Sequence, residues 1–139
     1  CGRYLGDAGE DDVPKYVLPK GFRKELELFN YHRVAERGDN RALVIFESYL
    51  SVMRHHRIFQ AISPFGRSIS DQQVDLVAAL APRKIFVVAD GDEPGRIGAR
   101  EIAGALSGIT WARAVDLPDG VKPHHLTSDE LAEILRPLW

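Results

Sequence analysis

The chain is almost without cysteine: Cys1 stands alone among 139 residues, which excludes an internal disulfide framework and any zinc site built on cysteines. Long apolar runs are missing as well. Nothing approaches the roughly 18 consecutive residues that a membrane-spanning helix needs, and the first residues lack the basic-then-apolar order of a secretory signal. Internal repeats and low-complexity tracts are absent. A single thiol with no export signal points to a reducing, cytoplasmic setting. A chain that starts with Cys rather than Met reads as a piece of a longer protein, with Cys1 an ordinary residue at the cut end.

A dominant charge is also lacking. The net charge of −2 argues against a general nucleic-acid binder, but the charges are unevenly placed. Residues 15–67 carry ten basic and five acidic side chains, whereas 68–139 carry seven basic and eleven acidic. A basic middle beside an acidic C-terminal half would set a phosphate-attracting surface next to a cation-attracting one. Hydrophobic content of 45% and charged content of 27% are those of a soluble globular domain. The length suffices for one core and falls short of two ordinary domains.

What is there is a regular alternation. The polar, acidic stretch 6–14 reads as an exposed loop, and Lys15–Leu18 as a short strand. Leu26, Leu28, Phe29 and Val34 predict a helix over 22–37, stopped by Gly38-Asp39-Asn40, because Gly and Asn tolerate the left-handed conformation that ends helices. Ala42–Phe46 is a continuous apolar run, as expected of a strand buried on both faces. A helix over 49–58 follows, with Leu50, Met53 and Ile58 turned inward, then a short strand over 60–63. Ser70-Asp71-Gln72-Gln73 has capping-box spacing and opens a helix carrying Val74, Leu76, Val77 and Leu80. Lys84–Ala89 is the third strand. Pro94 fits the first turn of the next helix, which runs to Leu106. Thr110–Leu117 is the fourth strand, and Thr127 or Ser128 caps a last helix ending near Pro137. Strands alternating with helices imply a mostly parallel sheet. The expected architecture is a four-stranded α/β core over 41–139, preceded by an N-terminal appendage over 1–40 that has no clear core of its own.

In such a sheet, ligands sit beyond the carboxyl ends of the strands. Glu47 directly follows the first buried strand, and Asp90 and Asp92 directly follow the third. If those strands are neighbours, three carboxylates converge, and like charges so close raise each other's pKa unless a cation is present. Mg²⁺ prefers carboxylate oxygen and keeps its other positions for water and substrate phosphates. Gly91 would let the backbone turn tightly so that both aspartates reach the same side, and the helix start at 93–96 would favour anions. A plain strand-to-helix turn with one Asp as a helix cap also accounts for Asp-Gly-Asp on its own. Adjacent histidines, His55-His56 and His124-His125, point apart and make poor metal clamps. Trp111 and Trp139 read as packing residues.

The ordered set VIFESYLSVM (44–53), SPFGRSISDQQ (63–73) and VVADGDEPGR (87–96) resembles the Toprim domain shared by bacterial primases, topoisomerases, some nucleases and recombination proteins. Gly66 with Ser70-Asp71-Gln72-Gln73, and LPDG at 117–120, are similar to the bacterial (DnaG-type) primase branch. Residues 2–10 and 15–33 resemble the segment that leads into Toprim in primases and their plasmid or phage relatives. The resemblance implies a Toprim, Rossmann-like fold. It implies Mg²⁺- or Mn²⁺-dependent synthesis of RNA primers from ribonucleoside triphosphates on single-stranded DNA, a nucleotidyltransferase activity of DNA replication. It makes Glu47, Asp90 and Asp92 the catalytic and metal-binding residues, with Lys15, Lys20, Lys24, Arg67 and Arg96 as candidate phosphate contacts. A replicative helicase would be met through regions outside this chain, and the isolated chain would make little or no primer.

The resemblance has departures. Primases commonly carry Gly after the glutamate and Asp four positions beyond it, where this chain has Ser48 and Ser51. A KDPD-like acidic stretch usually follows LPDG, where this chain has Val121-Lys122-Pro123-His124. Fewer carboxylates mean weaker or fewer bound metals. A Toprim nuclease or topoisomerase piece, and a degenerate, non-catalytic nucleic-acid-binding module of a mobile element, therefore stand as alternatives.

Overall fold

The structure is a computed structural model describing residues 2–3, 16–17, 19–38 and 41–138. Cys1, the acidic stretch 6–14, Lys15, Asp39-Asn40 and Trp139 lie outside the described residues. Gly2–Arg3 (β1) and Tyr16–Val17 (β2) form an antiparallel pair. The main sheet comprises Ala42–Phe46 (β3), Gln60–Ile62 (β4), Lys84–Val88 (β5) and Trp111–Val115 (β6), all parallel, in the order β4-β3-β5-β6. The strands at the centre of this order are apolar, apart from Lys84 at the start of β5, because helices cover both faces.

Alternation along the strands sorts the core into two layers. Leu43, Ile45, Ile85 and Val87 face one side, where they meet Val34 of α1 (Tyr31–Arg37), Val77 of α3 (Asp71–Ala79) and Ile102 and Leu106 of α4 (Glu93–Leu106). Val44, Phe46, Phe86 and Val88 face the other, against Val52 of α2 (Tyr49–His55) and Leu131 and Leu135 of α5 (Ser128–Leu135). Burying a side chain of this size fully contributes about 1.5–3 kcal/mol. The result is a three-layer α/β/α fold, as the sequence pattern predicts. No helix among the described residues is long and apolar enough to cross a membrane.

Two expectations are corrected. The helix expected over 22–37 is broken into a 3-10 turn at Lys24–Leu26 and the later α1. Between them the backbone serves the sheet instead: Phe29 and Ser63 exchange hydrogen bonds of 2.8 and 3.3 Å in an antiparallel bridge. Asn30 then turns left-handed (φ 69°) and its side-chain amide donates to the Ala61 carbonyl. Covering the otherwise open edge of β4 outweighs local helix propensity. The inward face of α2 also differs from the expectation. Met53 and Ile58 are 57% and 66% exposed, and Ser51, Val52 and His55 are the buried residues. Periodicity over a short segment left the phase ambiguous, and a polar residue was not expected inside.

His55 explains that phase. Its ring lies against Phe46, its Nε2–H donates to the Pro123 carbonyl at 2.8 Å, and its Nδ1 pairs with the Ser128 hydroxyl at 3.0 Å. One buried imidazole thus ties α2 to the start of α5 and to the 3-10 turn Pro123–His125. Gln73 plays a matching part on the opposite side. Its Oε1 accepts the Ser70 amide within the capping box, while its Nε2 donates to the carbonyls of Lys24 and Glu27 at 2.8 and 2.7 Å. The same side chain that starts α3 anchors the N-terminal segment.

Replacing Gln73 by Ala removes both sets of bonds and leaves buried carbonyls unpaired, so it should cost about 2–3 kcal/mol, measured by urea denaturation. Burial holds the His55 imidazole below the ordinary histidine pKa. A histidine with a depressed folded pKa contributes stability above its unfolded value, about 6.5, that is lost as pH falls. Thermal unfolding from pH 7.5 to 5 should therefore show declining stability, and His55→Gln should flatten that decline.

Candidate functional site

β3 and β5 are direct neighbours in parallel register, with Phe46 opposite Val88 as their last pair. Their continuations leave the sheet side by side, bringing Glu47 together with Asp90 and Asp92 as the sequence predicts. Glu47 is largely buried, its side chain 25% exposed beside 19% for Asp90. Its Oε2 is fully buried and has no hydrogen-bond partner. Burial pushes its carboxyl pKa up, the Asp90 charge pushes it further, and Arg67 pulls it partly back. That is the electrostatic signature of carboxylates gathered without a full complement of positive charge.

The two aspartates are partly committed elsewhere. Asp92 is the N-cap of α4, its Oδ1 accepting the Gly95 amide at 2.7 Å. Asp90 is ion-paired with Lys122, Oδ2 to Nζ 3.2 Å. As they stand, no three His, Cys, Asp or Glu side chains among the described residues form a metal-holding group.

Gly91 is needed for a different reason from the one the sequence suggested. It is not among the residues with positive φ. A Cβ there would lie 2.1 Å from the Pro118 carbonyl oxygen and 2.9 Å from that of Val121. The loop after β6 closes directly onto this turn: the Gly91 amide donates to the Val121 carbonyl and the Gly120 amide to the Gly91 carbonyl, both at 2.8 Å. Arg96 holds the same loop from α4, donating to the Leu117 carbonyl at 3.0 Å and pairing with Asp119. So LPDG is the wall of the acidic centre, and Lys122 follows it after Val121.

The remaining candidate residues divide by position. The Arg67 guanidinium stands 3.9 Å from the Glu47 carboxylate. Its backbone lies hard against α4 at Gly98, where a Cβ would meet the Arg67 carbonyl oxygen at 2.7 Å. Lys24 borders the loop 64–70 that carries Arg67. Lys20 sits exposed at the turn before Gly21. Neither lysine is joined to the acidic centre by a hydrogen bond or ion pair among the described residues, and Lys15 lies outside them. Ser51, where primases have an acid, is completely buried and its hydroxyl has no partner. The Lys122–Asp90 pair escaped sequence reasoning. The signal was present, a lysine where an acid was expected, but its partner is 32 residues away in the chain.

A four-stranded parallel sheet flanked by helices defines an α/β domain of Rossmann-like type. No family model matches the chain, and no curated protein sequence matches it. Solved structures do, among them three of primases. The chain is similar to the Aquifex aeolicus primase zinc-binding and RNA polymerase domains (TM-score 0.76, 24% identity, 98% of this chain and 36% of that one). It is similar to the DnaG catalytic core (0.75, 26%, 98% and 47%). It is also similar to a DNA primase domain from Pseudomonas aeruginosa (0.77, 25%, 97% and 45%). This chain therefore spans between about a third and a half of the length of those structures.

Gly91→Ala forces a methyl group onto two carbonyl oxygens of the backbone. It should destabilise the domain by about 3 kcal/mol or more, read from the denaturant midpoint, while Gly104→Ala, in open space, should not.

Proposed function

We propose that this chain is the Toprim part of a primase catalytic core, acting in the intact protein in Mg²⁺- or Mn²⁺-dependent synthesis of RNA primers on single-stranded DNA. The observation that carries this reading is Glu47 beside Asp90 at the ends of adjacent parallel strands, with a buried, unpaired carboxylate oxygen. It is supported by the likeness to three primase structures over nearly the whole chain.

The donor set suits a hard divalent ion held jointly by protein and substrate. Mg²⁺ needs only one or two protein carboxylates when phosphates and water complete its shell. Glu47 and Asp90 would hold it, and Asp92 keeps one oxygen beyond its helix cap. When bound, the ion supplies charge neutralisation at the reacting phosphate. The chain's own residues do the rest. A new bond forms between the primer 3′-oxygen and the α-phosphorus of the incoming ribonucleotide, and the bond to pyrophosphate breaks. Glu47, at the end of the strand beside Asp90, takes the proton from the 3′-hydroxyl. Arg67 stands where it can meet a phosphate approaching Glu47, and the half-exposed position of its side chain leaves it free to do so. Lys24, on the exposed border of the same loop, continues a basic path for the template backbone. Arg96 positions the site wall rather than touching substrate.

A second reading, a nucleic-acid-binding module that has lost catalysis, is favoured by one observation: a lysine already neutralises Asp90. Template-dependent ribonucleotide incorporation by the complete protein separates the two. In the primase reading Glu47→Gln lowers incorporation by about 100-fold or more, and the 139-residue chain by itself makes little or no primer. Equal incorporation by Glu47→Gln and wild type would remove the catalytic assignment.

A further inference from the structure

We infer that the Lys122 ammonium serves as a built-in cation of the acidic centre, occupying Asp90 in place of a second metal ion, so that this site takes a single divalent cation. The inference rests on the metal-dependent reading above and concerns how many ions that site accepts.

Lys122 is not a loosely tethered surface lysine. The residue before it is pinned by the hydrogen bond from the Gly91 amide to the Val121 carbonyl, and Val121 itself closes a turn onto Pro118. The residue after it, Pro123, is buried, and its carbonyl is held by His55. The Lys122 carbonyl accepts the His125 amide at 2.9 Å, starting the 3-10 turn. Backbone pairing on both sides thus fixes where the stem leaves the chain. Its ammonium reaches Asp90 Oδ2 at 3.2 Å, and the pair is only partly open to solvent, with Lys122 at 40% and Asp90 at 19% side-chain exposure.

The charge balance gives the consequence. Glu47, Asp90 and Asp92 face two side-chain cations, Arg67 on Glu47 and Lys122 on Asp90. The cluster therefore carries one net negative charge. One divalent ion would turn this to a modest excess of positive charge, which a substrate phosphate offsets. A second would stack a large positive surplus into a partly buried site, which is strongly unfavourable. An ion coordinating Asp90 must also displace or share the carboxylate with the ammonium, and the like-charge repulsion weakens its binding.

Mn²⁺ binding, followed by electron paramagnetic resonance of the free ion, tests this on the wild-type chain, Lys122→Gln and Lys122→Asp, with thermal unfolding as a check that each is folded. Gln keeps the length and polarity of the stem while removing the charge. The expected result is weak binding of one Mn²⁺ to wild type and about 10-fold tighter binding in Lys122→Gln. In Lys122→Asp a second Mn²⁺ should bind. Wild-type binding that is unchanged in affinity and number in both variants would overturn the Lys122 assignment while leaving the metal-dependent reading intact. No binding to wild type with binding in Lys122→Gln would show that the ammonium excludes the ion altogether, which overturns the single-ion inference and counts against that reading. No Mn²⁺ binding in any of the three would overturn both.

Discussion

The parallel pairing of Ala42–Phe46 with Lys84–Val88 is the constraint on which everything else at the site depends. Two parallel strands in register end at the same edge of the sheet, so whatever follows each of them must share a small volume. Here Glu47 follows one and Asp90-Gly91-Asp92 the other. Both strands are buried on both faces, so neither can slide without exposing several large apolar side chains. Moving either by one residue would exchange the faces entirely. The position of the carboxylates is thus set by hydrophobic packing some distance from any of them.

Around that pairing the molecule adds layers of backbone contact rather than long side-chain networks. The loop at 117–121 is laid against Gly91 by two backbone hydrogen bonds, with no room for a side chain between them. Arg96 fastens the loop from the helix that Asp92 caps, so one turn of backbone serves at once as helix start, site floor and docking strip. On the opposite side of the sheet, His55 fixes the turn that follows Lys122. A small displacement of any one of these elements would be felt by the others, because each holds the backbone of its neighbour.

Electrostatically the centre is under-neutralised but not bare. Burial and the neighbouring aspartate work against ionisation of Glu47, while Arg67 and Lys122 each offset part of the negative charge. The proposed function calls for a site that takes a cation and a phosphate together. That agrees with a chain whose basic residues concentrate before position 68 and whose acidic residues concentrate after it.

Much of this was legible in the sequence, for physical reasons that can be named. Apolar runs at 42–46 and 85–88 suit strands buried on both faces, and their spacing suits crossover helices, so the layered fold followed from pattern, whereas the meeting of Glu47 with Asp90 followed only on condition that the two strands are neighbours, as they are. The two capping boxes at Ser70 and Thr127 are local chemistry and were equally readable, or nearly so. What pattern could not reach was decided by contacts between distant segments. Phe29 abandons a helix to pair with Ser63, because an open sheet edge offers hydrogen bonds that local propensity does not weigh. His55 turns inward, because Pro123 and Ser128 supply partners that no neighbour in sequence provides. Asp-Gly-Asp by itself reads as a tight turn that glycine permits, whereas its glycine is required by the backbone of another loop lying against it. The sequence by itself determined which residues stand at the strand ends. Only the tertiary structure decided which charges face them, because Lys122 reaches Asp90 through a fold-dependent closure of the chain that no local spacing encodes.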